Sequence, residues 1–312
     1  MSGKQKVKHK FPEEREVKNM VEFGNILTAM VTPFNEEGEV DYQAAKNLAV
    51  KLVENGSDGL VIAGTTGEAP TLTMEEKLTL FSTVVEAVGG RATVVAGTGT
   101  NNTKATVEFT KEAERTGIDG VLLVAPYYNK PPQEGLYQHF KKVAEATTLP
   151  LMIYNIPGRT GVNILPATMS RLAEIDNIVA LKEAAGDLNQ AAEMVRVLPK
   201  DFLVYSGDDS MTLPMLSVGA TGVVSVASHL VGRRMETMIE AFKEGDVDEA
   251  TKLHQELLPL FKVLFITTNP IMVKAALNML GLPVGTTRLP LAGPQPEELE
   301  QLKDILQQLG LR

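Results

Sequence analysis

The chain has 312 residues, 44% hydrophobic and 22% charged, with no cysteine and a formal net charge of −9. That length accommodates one large barrel-type domain or two smaller ones. The missing cysteines exclude disulfides and thiolate metal sites and suit the cytoplasm, and the acidic balance argues against nucleic acid as the main partner.

Residues 1–24 hold six Lys/Arg and four Asp/Glu, so this stretch is basic where the whole chain is acidic. It lacks an apolar h-region and is not a secretory signal. It reads as a solvated tail or an arm on a neighbouring surface. Nowhere does the chain contain a run of about 18 apolar residues, so no membrane span is expected.

From Asn25 a rhythm begins. Strand-like apolar runs occur at Ile26–Val31, Leu60–Ala63, Thr93–Ala96, Val121–Ala125, Leu151–Tyr154, Ile178–Leu181, Phe202–Tyr205 and Val223–Val226. Helical patterns separate them, among them Tyr42–Glu54, Met74–Val88, Thr103–Arg115 and Glu134–Ala146. Thr73 followed by Glu76 predicts a capping box. Gly56-Ser57-Asp58-Gly59, Gly117-Ile118-Asp119-Gly120 and Gly219-Ala220-Thr221-Gly222 share one form. Their first glycine suits a helix C-cap and the second a tight start to the next strand.

Eight strands alternating with helices predict a parallel sheet, closed as a (β/α)₈ TIM barrel over residues 25–230. A doubly wound open sheet is the alternative. Beyond it, Met235–Phe242, Val247–Leu264, Ile271–Leu280 and Glu297–Leu309 look helical, so residues 231–312 are expected to form a C-terminal helical appendage.

In such a barrel the chemistry gathers where the strands end. Strand 2 runs into Gly64-Thr65-Thr66-Gly67-Glu68, whose backbone N–H groups suit an anion, although a plain tight turn reads equally well. Strand 4 leads to Tyr127 and Tyr128, either packing residues or proton carriers. Strand 5 leads through Tyr154 to Arg159, on a loop stiffened by Pro157 and Gly158, where a fork could grip a carboxylate or make a surface ion pair. Strand 6 ends near Lys182. Burial disfavours its ammonium and lowers its pKa, making a nucleophile for carbonyl carbon, unless the head snorkels to water. His9, His139, His229 and His254 lack metal-type spacing and read as structural or surface groups. Together these strand ends describe Schiff-base chemistry on a small keto acid, which requires no metal and no other cofactor.

Gly64-Thr65-Thr66-Gly67-Glu68, Tyr127-Tyr128-Asn129-Lys130-Pro131, Tyr154-Asn155-Ile156-Pro157-Gly158-Arg159-Thr160-Gly161 and Leu181-Lys182-Glu183-Ala184 resemble the dihydrodipicolinate synthase family. This family lies within the pyruvate-dependent class I aldolases that include N-acetylneuraminate lyase. The resemblance runs from about Asn25 to the C-terminus. It implies that pyruvate forms an imine on Lys182, that the enamine attacks L-aspartate 4-semialdehyde, and that cyclisation gives 4-hydroxy-tetrahydrodipicolinate on the route to diaminopimelate and lysine. It also implies a proton relay of Tyr154, Thr66 and Tyr128, with Tyr128 reaching in from a neighbouring subunit. Thr65 and Thr66 would hold the pyruvate carboxylate, and Arg159 the semialdehyde carboxylate. The backbone carbonyl of Val224 would face the site. The family is usually a homotetramer built from tight dimers.

Sister enzymes acting on N-acetylneuraminate or 2-keto-3-deoxy sugar acids are the alternative. Sialate lyases generally lack the loop arginine and carry Ser-Thr after the glycine. A non-catalytic binding protein on the same barrel, or a scaffold acting through the appendage, are further alternatives. Lysine-inhibited members of the family place a histidine and a glutamate where this chain has Lys77 and Ala105, while Asn101 and Tyr127 are kept. The resemblance therefore implies weak feedback by L-lysine, with Glu108 the one nearby carboxylate able to compensate.

Overall fold

A computed structural model describes residues 23–312. The strands are β1 (Ile26–Ala29), β2 (Gly59–Ile62), β3 (Thr93–Gly97), β4 (Gly120–Val124), β5 (Leu151–Asn155), β6 (Ile178–Glu183), β7 (Leu203–Ser206) and β8 (Gly222–Ser225). The helices are α1 (Tyr42–Glu54), α2 (Met74–Val88), α3 (Thr103–Glu114), α4 (Gln133–Ala144), α5 (Pro157–Thr160), α6 (Pro166–Leu172), α7 (Leu188–Val197), α8 (Thr212–Ser217), α9 (Ser228–Glu244), α10 (Val247–Val263), α11 (Ile271–Met279) and α12 (Pro296–Gln308). Each strand pairs in parallel with the next, and β8 pairs with β1, so the sheet is a closed barrel and not an open one.

Period-two alternation divides the strand residues into two cores. Leu27, Val61, Val95, Leu122, Met152, Ala180, Tyr205 and Val224 fill the barrel interior. Their neighbours Ile26, Leu60, Val94, Val121, Ile153, Leu181 and Val223 face outwards under the helices. This two-sided burial is why the strands read as continuous apolar runs. Phe23 closes the floor of the barrel, and the Tyr205 hydroxyl donates to the Gly24 carbonyl at 2.8 Å. The remainder of the expected tail, residues 1–22, lies outside the described residues.

The local devices expected from sequence form. Thr73 accepts from the Glu76 N–H while Glu76 accepts from the Thr73 N–H, a reciprocal cap on α2. Gly219 turns the chain with φ +101°, and a Cβ on Gly222 would collide with the Asn25 carbonyl oxygen. The capping-box residues have a second use, because Arg288 grips the same Glu76 carboxylate through both terminal nitrogens, at 3.0 and 2.5 Å.

After β8 the chain supplies the helix that covers β1 and then three more. That helix, α9, begins at Ser228, so the expected boundary at residues 230–231 falls inside it, at Val231 with its non-helical φ of −131°. No helix among the described residues is long and apolar enough to cross a membrane. His229 is locked in one neutral tautomer, Nδ1–H donating to the Val226 carbonyl and Nε2 accepting from the Val31 N–H, with burial lowering its pKa to about 4.

Candidate active site

Strand register brings the chemistry together. Lys182 on β6 lies level in register with Tyr154 on β5 and Tyr205 on β7; the Lys182 amine meets the Tyr154 ring, whereas the Tyr205 hydroxyl reaches down to the Gly24 carbonyl at the floor of the barrel. Lys182 is 5% exposed, and its Nζ sits 4.2 Å from the centre of the Tyr154 ring. The neighbouring turn makes room for it, since a Cβ on Gly207 would stand 3.0 Å from Lys182 Cε and 2.6 Å from Ala184 Cβ. Burial lowers the amine pKa to about 7; the Asp209 charge opposes this and the Arg159 charge assists it. A large fraction is thus free amine near neutral pH, as a nucleophile for a carbonyl requires.

Tyr154 is 3% exposed, and burial pushes its phenol up to about 12, against the opposing effects of a hydrogen bond with Thr65 and the Arg159 charge. It keeps its proton at neutral pH and can pass it on through a hydroxyl neighbour. That neighbour is Thr65 and not Thr66. The two threonines are adjacent in a tightly wound loop, bracketed by left-handed Ala63 (φ +50°) and Glu68 (φ +54°), so their side chains diverge. Thr66 is 2% exposed and accepts a hydrogen bond from Asn269 Nδ2 at 2.9 Å. Thr65, expected as a carboxylate contact, thus also bears on the Tyr154 hydroxyl.

Arg159 stands on the single-turn helix α5 with its side chain exposed, close enough for its charge to act on both Tyr154 and Lys182. Its loop is held from behind by a buried network. Asn155 Nδ2 donates to Asn163 Oδ1 at 2.8 Å and to the Glu183 carboxylate, while Asn155 Oδ1 accepts from the Ile164 N–H. The Val224 side chain is buried in the interior cluster alongside Tyr154. Tyr128 is 89% exposed on its own chain and has a left-handed φ of +74°.

A sequence profile of the dihydrodipicolinate synthetase family matches residues 22–309. The chain belongs to that family. It is 60% identical over 292 residues to the 4-hydroxy-tetrahydrodipicolinate synthase of Desulforamulus reducens, covering 93% of this chain and 99% of that one. Among solved structures, dihydrodipicolinate synthase from Bacillus anthracis superposes with a TM-score of 0.91 at 51% identity, covering 92% of this chain and 99% of that one. The enzyme from Cyanidioschyzon merolae with lysine bound gives 0.92 at 50% identity, covering 93% and 99%.

Two further residues of this family member shape the site and were not singled out from sequence. Asp209, 1% exposed, accepts from the Ser225 hydroxyl at 2.5 Å and from the N–H groups of Val226 and Ala227, which fixes the turn between β8 and α9. Burial raises its carboxyl to about 6 against those hydrogen bonds. Asn269 is the other. The paired acids Asp208-Asp209 at the end of β7 were a visible signal, whereas Asn269 lies 203 residues from the threonine it touches.

Proposed function

We infer that this chain is a 4-hydroxy-tetrahydrodipicolinate synthase that joins pyruvate to L-aspartate 4-semialdehyde through a Schiff base on Lys182, in the cytoplasm. The observation that carries this is the buried Lys182 amine with a pKa of about 7, packed against the Tyr154 ring where the barrel strands end. The neutral amine adds to the keto carbon of pyruvate, and the carbinolamine loses water to give the imine. Loss of a methyl proton gives the enamine, whose carbon bonds to the aldehyde carbon while the aldehyde oxygen takes up a proton. The amino group of the semialdehyde then displaces Lys182 from the imine carbon, closing the ring and freeing the enzyme. One water is released overall.

In this reading Tyr154 and Thr65 carry the protons, Thr66 and the loop N–H groups hold the pyruvate carboxylate, and Arg159 receives the semialdehyde carboxylate. The Val224 carbonyl faces the bound substrate. Tyr128, exposed on its own chain, completes the site of a neighbouring subunit in a tetramer of tight dimers. L-Lysine is a poor inhibitor. The Lys77 ammonium, half-buried 5.5 Å from the centre of the Phe109 ring, stands where a cationic ligand needs a neutral partner. Glu108 is exposed and lies 3.8 Å from Lys104, so its charge is already partnered.

A coupled assay with pyruvate and aspartate semialdehyde, beside one with N-acetylneuraminate, tests the reaction. Turnover of the first pair only is expected. Borohydride with pyruvate should leave a stable adduct on Lys182 and none on Lys182→Ala; an adduct elsewhere overturns the mechanism.

A further inference from the structure

A hydroxyl has one proton to give, and a carboxylate can only accept. For Thr66 to bind a carboxylate, its proton must face the ligand and its oxygen must be satisfied from another side. Asn269 supplies that other side, its Nδ2 donating to Thr66 Oγ1 at 2.9 Å. Both side chains are buried, so water has little access to replace this donor. The amide oxygen of Asn269 is buried and has no hydrogen-bond partner, so the bond to Thr66 is the one that orients the group.

The backbone on both sides of the contact is clamped. Lys274, on α11 just after Asn269, pairs with Glu68, two residues beyond Thr66, at 2.7 Å with both side chains almost wholly buried. The Arg288 N–H donates to the same Glu68 carboxylate at 2.9 Å, and Thr32 donates to the Gly67 carbonyl at 2.7 Å.

We propose that Asn269 is a positioning residue of the keto-acid site: by donating to Thr66 it makes that hydroxyl a donor to the substrate carboxylate. The C-terminal segment is thereby part of the substrate-binding apparatus. This rests on reading Lys182 as the pyruvate-binding lysine.

The experiment is borohydride trapping of pyruvate on the full chain, read as the pyruvate concentration giving half-maximal labelling of Lys182. That concentration is independent of how much of a variant is folded. Asn269→Ala should raise it about tenfold, as expected for a lost hydrogen bond in a charge-assisted chain. Asn269→Asp should raise it further, because a carboxylate takes the Thr66 proton for itself and repels the ligand. A purely structural role gives the opposite order, since Asp copies the shape of Asn. In a Thr66→Val background Asn269→Ala should lose its effect, and Asn269→Asp should keep only the part due to its repulsion of the ligand. An Asp variant at or below the Ala value, or an Ala effect undiminished without the Thr66 hydroxyl, overturns the proposal. A wild-type chain that traps no pyruvate removes the function assigned to the site, and the role of Asn269 with it. A wild type that traps pyruvate while Asn269→Ala matches it removes the role of Asn269 alone.

Discussion

The Lys182 amine has its pKa lowered to about 7 from 10.5, chiefly by burial, so the folded chain holds it against its preference for water. Below pH 7 both folded and unfolded chains carry the proton, and the folded state bears the whole cost of a buried ammonium. Between about 7 and 10.5 the unfolded chain binds more protons than the folded one, so stability contributed at this position rises with pH. Lys182→Met should therefore raise the melting temperature, by more at pH 6 than at pH 9. Thermal unfolding at the two pH values checks this, and an equal or reversed difference would show that the amine is not held in its neutral form. Imine formation should rise with pH through about 7 for the same reason. Arg159 acts at the other end of the reaction. Arg159→Ala should still form the pyruvate imine while kcat/KM for the semialdehyde falls roughly 10- to 150-fold, the worth of a charged hydrogen-bonded pair of ~1.5–3 kcal/mol. Arg159→Lys should recover little, because a point charge does not reproduce a planar fork. Normal steady-state kinetics in either variant would take Arg159 out of the site.

At the scale of elements, the loop after β2 is fastened to α11 and the segment beyond it. Glu68 meets Lys274 and the Arg288 N–H, while the Arg288 side chain reaches Glu76, the Gly38 carbonyl and the Thr71 carbonyl. Burial lowers Lys274 to about 8 even with Glu68 beside it, so this ammonium depends on its partner. Glu68→Gln removes the counter-charge and should cost ~3–5 kcal/mol of stability, the usual effect of breaking one side of a buried pair. Adding Lys274→Met should restore part of it, since the stranded charge is then gone. Denaturant unfolding of the two single variants and the double variant gives the coupling, and fully additive losses would mean that the pair is not a unit. The same clamp explains why the C-terminal helices, which look like an appendage in sequence, bear on the catalytic loop.

For the whole molecule, the exposed Tyr128 and the buried Lys182 make a separable pair. Lys182→Ala and Tyr128→Phe should each be nearly inactive alone, and co-refolded mixtures should regain part of the activity, because one site of a mixed dimer combines both intact residues. Mixed assembly without recovery would leave Tyr128 outside the partner's site. The charge arrangement around Lys77 and Ala105 makes a second prediction at this scale. Loss of a charged partner in a buried site costs ~2–5 kcal/mol, or roughly 30- to 4,000-fold in affinity. A titration of the steady-state rate with millimolar L-lysine should therefore give little inhibition, and strong inhibition below millimolar would refute the charge argument.

Whatever depends on near neighbours in the chain was legible in the sequence. Alternating apolar strands and amphipathic helices gave the eight βα units, the paired glycines gave the junctions, and Thr73 with Glu76 gave a helix start, because periodicity and caps are set within a few residues. Four motifs gave the family and its lysine. Tertiary structure alone decided which of two adjacent threonines meets Tyr154, since side chains one residue apart in a wound loop diverge and only the bend of that loop aims them. It alone supplied Asn269 from 203 residues away and the Asp209 cradle beneath the end of β8. It also lowered the Lys182 pKa, because desolvation belongs to the closed barrel and to no stretch of chain within it.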